Sequence, residues 1–317
     1  MKNINQRLIH PTALALAICL WLPAAAQSAD PSPDAVANQQ GQAQAQAQAN
    51  PQIEQQRQEA EQQAQKTLDK DAVAAITETQ NAVKALQQSK TDEALAAIER
   101  ATGKINILLA RNPATGLIPV EATVHVIDTA PLDKKAIKAI AKAAEKAVDD
   151  KDFPGARVLL QNLISEIRVR TYNLPLATYP IALKEAARLI DQKKPDEAKG
   201  ILRVALNTLA VVDRVTPLPL VIAEAAITEA QAQRDKDKEA AQRHLAVARS
   251  ELDRAKELGY AGNDPEYGTL SQAISDVESQ IKGNQDSRSA FARLKERVSS
   301  FFKRQSESQK RAEVASK

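Results

Sequence analysis

The feature that most constrains this chain is a spacing that recurs three times. Ala94, Ala156 and Ala198 each open a stretch with apolar residues at +4, +7 and +11 and a proline at +19, namely Pro113, Pro175 and Pro217. The second and third copies lie 42 residues apart, with Leu160, Leu163 and Ile167 answering Leu202, Ala205 and Leu209. Apolar residues at this period mark one face of a helix. Twelve residues before each opening alanine stands another, Ala82, Ala144 and Ala186, and eight before it Leu86, Val148 and Ile190. Small residues at paired positions let two antiparallel helices approach closely, with the larger ones filling the groove between them.

Each copy therefore reads as a helical hairpin, an A helix followed by a B helix that runs to its proline. The polar turns between them are 89–92, 150–154 and 193–196. Pro154 and Pro195 suit a first helical turn, where the missing N–H is not needed, and Asp92, Asp196 and Glu197 complement the positive helix start. The expected fold is all-α: antiparallel hairpins stacked in a tetratricopeptide-like array. A fourth copy fades at Ala241, with Leu245, Ala248 and Leu252 in register and Gly259 in place of the proline, as a terminal capping unit would.

About twenty extra residues separate the first two copies, and they hold the one alternating stretch. Ile118, Val120, Ala122, Val124 and Val126 alternate with Pro119, Glu121, Thr123 and His125, which predicts an extended insert near 118–127. With no second strand legible, it either crosses a groove or pairs with the same segment of another subunit.

The remainder falls outside the register. Residues 1–26 read as a secretory signal: Lys2 and Arg7, an apolar run over 12–22, then Ala24-Ala25-Ala26 before the cut. The implied location is the periplasm. Cys19, the one cysteine, lies inside that signal, so the exported chain would have no disulfide or thiolate chemistry. Residues 27–68 are Gln/Ala-rich and read as a disordered or polar-helical linker. The hairpin domain spans 69–258, a further helix 259–283, and a basic amphipathic tail 284–317. The tail carries Phe291, Leu294, Val298, Phe301 and Phe302 near helical spacing. It reads either as a helix docking on an anionic membrane surface or partner groove, or as one packing back on the array.

Chemistry is scarce. His125 and His244, the only histidines beyond the signal, have no partner at ligand spacing, so neither metal nor cofactor is expected. With nine glycines in 317 residues there is no phosphate loop, and no nucleophile elbow. A net charge of +3 does not argue for nucleic acid. The expected role is non-enzymatic binding. The candidate surface lies at the ends of the B helices: Arg168, Arg170, Tyr172 and Asn173 before Pro175, Tyr179 after it, and Asp213 and Arg214 before Pro217. Inter-repeat salt bridges are the alternative reading of those charges.

The stretch 71–217 resembles the YfdX family of exported bacterial proteins. The resemblance rests on Ile140-Ala141-Lys142 and Asp149-Asp150-Lys151-Asp152, Gly155-Ala156, Tyr172-Asn173-Leu174-Pro175, and Ala186-Ala187-Arg188-Leu189-Ile190 with Lys193-Lys194. It implies a periplasmic, predominantly helical protein linked to stress, drug and acid tolerance. It also implies a tendency to form homo-oligomers and supplies no catalytic residues. The leading expectation is thus a periplasmic interaction protein, scaffold or holdase-like, with an unknown protein partner. A peripheral membrane protein held by the tail and a small-molecule binder are the alternatives.

Overall fold

The computed structural model describes residues 33–113, 115–260, 264 and 266–315, with side chains described from Ala49 onward except at 302, 303 and 305–315. The signal segment and the side chain of Phe302 lie outside that set. In chain order the elements are α1 (Pro33–Thr67), α2 (Lys70–Gln87), α3 (Thr91–Arg111), β1 (Leu117–Asp128), α4 (Lys134–Asp149), α5 (Phe153–Gln161) and β2 (Ser165–Pro175). There follow α6 (Tyr179–Asp191), α7 (Pro195–Asn207), β3 (Ala210–Pro217), α8 (Leu218–Gln233), α9 (Lys238–Glu257), α10 (Tyr267–Lys282) and α11 (Arg288–Ala315).

The three hairpins are present as α2–α3, α4–α5 and α6–α7. Their turns repeat one backbone device. Ser89, Lys151 and Lys193 stand at equivalent positions with φ of 61°, 62° and 63°. In each turn the next N–H reaches back to a carbonyl of the closing helix: Lys90 to Ala85, Asp152 to Ala147, Lys194 to Leu189. This left-handed C-terminal cap satisfies carbonyls the helix leaves open.

The B helices differ from the expectation. Only α3 runs helical towards its proline. The other two stop at Gln161 and Asn207, and Pro175 and Pro217 end strands. The reason is local composition. Beyond Asn162 come Ile167, Val169 and Thr171, and beyond Thr208 come Val211, Val212, Val215 and Thr216. Such β-branched residues are stiff at χ1 and fit a pleated surface better than a helix. Residues 165–175 and 210–217 are therefore strands where the apolar spacing predicts helix, and the fold is mostly helical with a three-stranded antiparallel sheet in the order β1-β2-β3. The extended insert is β1, and it pairs with β2 of its own chain, His125 opposite Arg168 and Val124 opposite Val169. It does not need another subunit.

Nor are the hairpins stacked in sequence order. The first and third mate directly, α2 against α7 and α3 against α6. Between them lie Ala82, Ala94, Ile98, Ile105, Leu108, Leu183, Ala186, Ala198 and Leu202, all at 2% exposure or less. Each fully buried Leu or Ile there stabilises by about 1.5–3 kcal/mol. Ile118 and Val120 of β1 and Leu174 of β2 close this core at the sheet end. The second hairpin stands apart and packs α4 on α9, with Lys134 on Asp253 at 2.7 Å and Lys138 on Glu257 at 3.2 Å.

A second core joins α8, α9, α10 and α11. Ala241, Leu245, Ala248 and Leu252 are buried in it, so the fading fourth register is the inner face of a helix and not a cap facing water. Gly259, with φ 84°, ends that helix, and Tyr260 N–H returns to Ala255 O at 2.9 Å. The N-terminal linker is helical as α1. It packs along α8 and β1, with Ala49 and Ile53 against Ile222 and Ala225.

Candidate functional site

Because side chains alternate across a strand, the even residues of β2 share one face of the sheet. Arg168, Arg170 and Tyr172 lie in a row there, flanked by His125, Thr123 and Glu121 of β1 and by Val215, Asp213 and Val211 of β3. Arg170 and Asp213 are direct cross-strand partners, with Nε donating to Oδ1 at 2.8 Å and Nη2 to Oδ2 at 2.7 Å. This bidentate pair holds the Asp213 carboxyl below its ordinary range, chiefly through the hydrogen bond from Arg170, and pushes the guanidinium higher. Arg168 turns along its own strand to Glu166, Nε to Oε1 at 2.8 Å. Both arginines are thus held in place while remaining partly exposed. Val211, 51% exposed, sits beside Tyr172.

The candidate residues are thus divided between the two faces of the sheet and the core. Arg168, Arg170, Tyr172 and Asp213 come together on a sheet face, not along the loop edge of a repeat stack. Asn173 and Arg214 belong to the opposite face. Asn173 donates there to Ala210 O at 3.0 Å, a strand-pinning role. Tyr179 is not on the surface at all. It is 1% exposed in the first core, its hydroxyl has no hydrogen bond, and burial pushes that hydroxyl up to about 12.

The tail residues are also placed. Phe291, Leu294, Val298 and Phe301 are all at 3% exposure or less, packed in the second core. They form no free apolar face for a membrane or groove. Among the described residues no helix is long and apolar enough to cross a membrane, and no group of His, Cys, Asp and Glu has the arrangement to hold a metal ion.

One cluster escaped the sequence reading. At the far end of the sheet, Arg254 of α9 is fully buried. Its Nε donates to Pro131 O at 3.1 Å, Nη2 to Ala130 O at 3.0 Å and to Asp128 Oδ1 at 3.1 Å, and Nη1 to Glu251 Oε2 at 3.3 Å. Ser165 Oγ donates to the same Asp128 oxygen at 2.8 Å. Tyr260 OH accepts from Ser165 N at 2.9 Å and donates to Glu166 Oε2 at 2.8 Å. This network ties the sheet to the C-terminal helices. In the sequence, Glu251 and Arg254 look like an ordinary solvated pair on a charged helix, and nothing in α9 distinguishes them.

Glu251 is the strained member. It is fully buried, and its Oε1 has no partner. Burial pushes its carboxyl up to about 6, partly offset by Arg254 and reinforced by Asp128. Since the unfolded carboxyl titrates near 4.5, the folded chain holds the extra proton between those values. Stability from this group is complete at pH 4.5 and below and falls as pH rises through 6, by about 2 kcal/mol. Glu251→Gln is expected to be more stable than wild type at pH 7 by about that amount and equal to it near pH 4.5. Urea unfolding at the two pH values checks this, and an identical shift at both would remove titration as the cause.

No curated protein matches the chain. A solved structure of Salmonella Typhi YfdX is similar at 16% identity over 48% of this chain and 93% of that one, with a TM-score of 0.32. Residues 75–215 match the family described as YfdX protein, a span that takes in the three hairpins and most of the sheet.

Proposed function

We propose that the chain is a non-enzymatic, periplasmic interaction protein that serves stress tolerance by holding a protein partner on the polar face of its sheet. The observation that carries this is the row Arg168, Arg170 and Tyr172 on β2, partly exposed and fixed by Glu166 and Asp213. Pre-fixed arginines and a tyrosine present contact area with few rotamers left to freeze on binding. Alternating charge along the face, with Glu121, Asp213 and the two arginines, suits a polar protein segment better than a polyanion or a lipid surface. The burial of Phe291, Leu294, Val298 and Phe301 weighs against a membrane anchor.

The test is site-specific photo-crosslinking in the periplasm. A crosslinker at Tyr172 is expected to capture a protein that the same group at exposed Gln272 does not, and Arg170→Glu is expected to reduce that capture at least about tenfold. Equal products at both sites would sink the reading.

A further inference from the structure

The two edges of the sheet differ. β1 carries Pro119 inside the strand and a register shift between Pro119 and Glu121. Helices α1 and α2 pack on it, and Pro119 O accepts from Asp69 N–H at 3.2 Å. Proline, bulges and covering helices keep an edge from pairing further. Over 210–213, β3 reads Ala-Val-Val-Asp, with no proline, lysine or register shift. Its one charge there, Asp213, is neutralised by the two bonds from Arg170.

The backbone of this edge has a defined direction. Asn173 Nδ2 donates to Ala210 O at 3.0 Å and Thr171 Oγ1 to Val212 O at 3.2 Å, each from the residue directly opposite on β2. The carbonyls of Ala210 and Val212 therefore point at β2. Successive residues of an antiparallel strand turn their N–H and C=O to alternate sides, so those of Val211 and Asp213 point out of the sheet edge. Among the described residues they meet no backbone partner there, and Val211 is 51% exposed. Arg214 and Val215 are engaged by other groups, which leaves 210–213 as the open length.

We infer, on the reading that the sheet holds the partner, that an extended segment of the partner protein adds one more strand beside β3 over 210–213. An extended chain fits this row of donors and acceptors, and a helix does not, because only a strand presents its N–H and C=O at the same repeat. Alternate side chains of the added strand would then lie on the polar face beside Val211 and Asp213. An apolar residue suits the first position. A lysine or arginine suits the second, where each carboxylate oxygen keeps a lone pair for another donor.

The probe is a labelled, capped peptide, Thr-Val-Thr-Val-Thr-Lys-Thr, titrated into the purified full chain and followed by fluorescence anisotropy. It is expected to bind, and to slow hydrogen exchange at the amides of Val211 and Asp213. The same peptide N-methylated at every amide keeps its side chains but has no donors, and is expected to bind at least about tenfold more weakly. Val211→Pro removes one outward N–H and leaves the β2 ladder alone, a place where an edge strand accepts proline. It is expected to weaken the unmodified peptide about tenfold, and Val211→Thr by less than about threefold. No binding, or equal binding of the methylated and unmethylated peptides, would overturn the inference. So would Val211 and Asp213 amides already protected in the chain alone, because a second copy or the chain itself would then hold the edge. Capture at Tyr172 that succeeds while these measurements fail would keep the partner on the sheet face and remove it from the edge.

Discussion

Replacing Arg254 by alanine is expected to destabilise the chain by about 3–5 kcal/mol, read as a lower urea midpoint. The guanidinium is wholly buried and gives four hydrogen bonds, to Pro131 O, Ala130 O, Asp128 and Glu251. Removing it costs little in packing beside what it leaves behind. Two carbonyls lose donors in a dry site, each worth about 1–3 kcal/mol if nothing replaces them. Glu251 loses the one cation offsetting its burial, so its carboxyl moves further up and stays protonated at neutral pH. The same four bonds fasten the end of β1 and the 129–131 turn to α9. Loosening them uncouples the YfdX-matched hairpins from the C-terminal helices, and the variant is expected to unfold in two transitions where wild type shows one. A double change, Arg254→Met with Glu251→Leu, is expected to recover much of the loss, because an apolar replacement of a whole buried pair leaves no unmatched charge. A loss under about 1 kcal/mol for Arg254→Ala would mean that water reaches the site freely.

The same cluster shows where sequence reading ran out. Periodicity found the hairpins because small residues at Ala82, Ala144 and Ala186 are dictated by close helix approach, and that demand is local to each helix pair. It misjudged 165–175 and 210–217 because the apolar spacing there fits a helix on one count and a strand on another: Ile167 and Leu209 satisfy +11, while the β-branched residues around them favour extension. The sheet tipped the balance, since each of these strands gains a ladder from its neighbour that no single segment can announce. Strand geometry also divides the seven candidate surface residues, four of which share one face. Arg168, Arg170 and Tyr172 were picked for their chemistry, and period-two geometry then set them on one face. Asn173 and Arg214 were picked with them and fell on the other. Tyr179 follows Pro175 closely enough to group with the surface residues at the end of the B helix, yet it opens α6 and is buried in the core. Burial of Glu251 and Arg254 depends on a turn more than a hundred residues earlier in the chain, and no local pattern carries that information.

Phe291→Ala is expected to cost about 3–5 kcal/mol, and it bears on the tail as much as on stability. Phe291, Leu294, Val298 and Phe301 recur at steps of three and four, so α11 buries a single stripe. Opposite them Leu270, Ile274, Val277 and Ile281 of α10 repeat the same steps, all at 3% exposure or less. A phenylalanine at 0% exposure between two such stripes leaves a cavity when truncated, because helices held by several other contacts relax only partly. Phe291→Leu, which keeps most of the volume, is expected to lose about 1 kcal/mol. Thermal or urea unfolding ranks the two. Arg293, Lys295 and Arg297 then have a different meaning from an anchor's: with the described apolar stripe turned inwards they meet water without apolar support, and electrostatics alone binds a membrane weakly and only at low salt. Folded wild type is expected to stay unbound to anionic vesicles at physiological ionic strength. Binding that persists there, together with a Phe291→Ala loss below about 1 kcal/mol, would mean that α11 leaves the core to reach the bilayer.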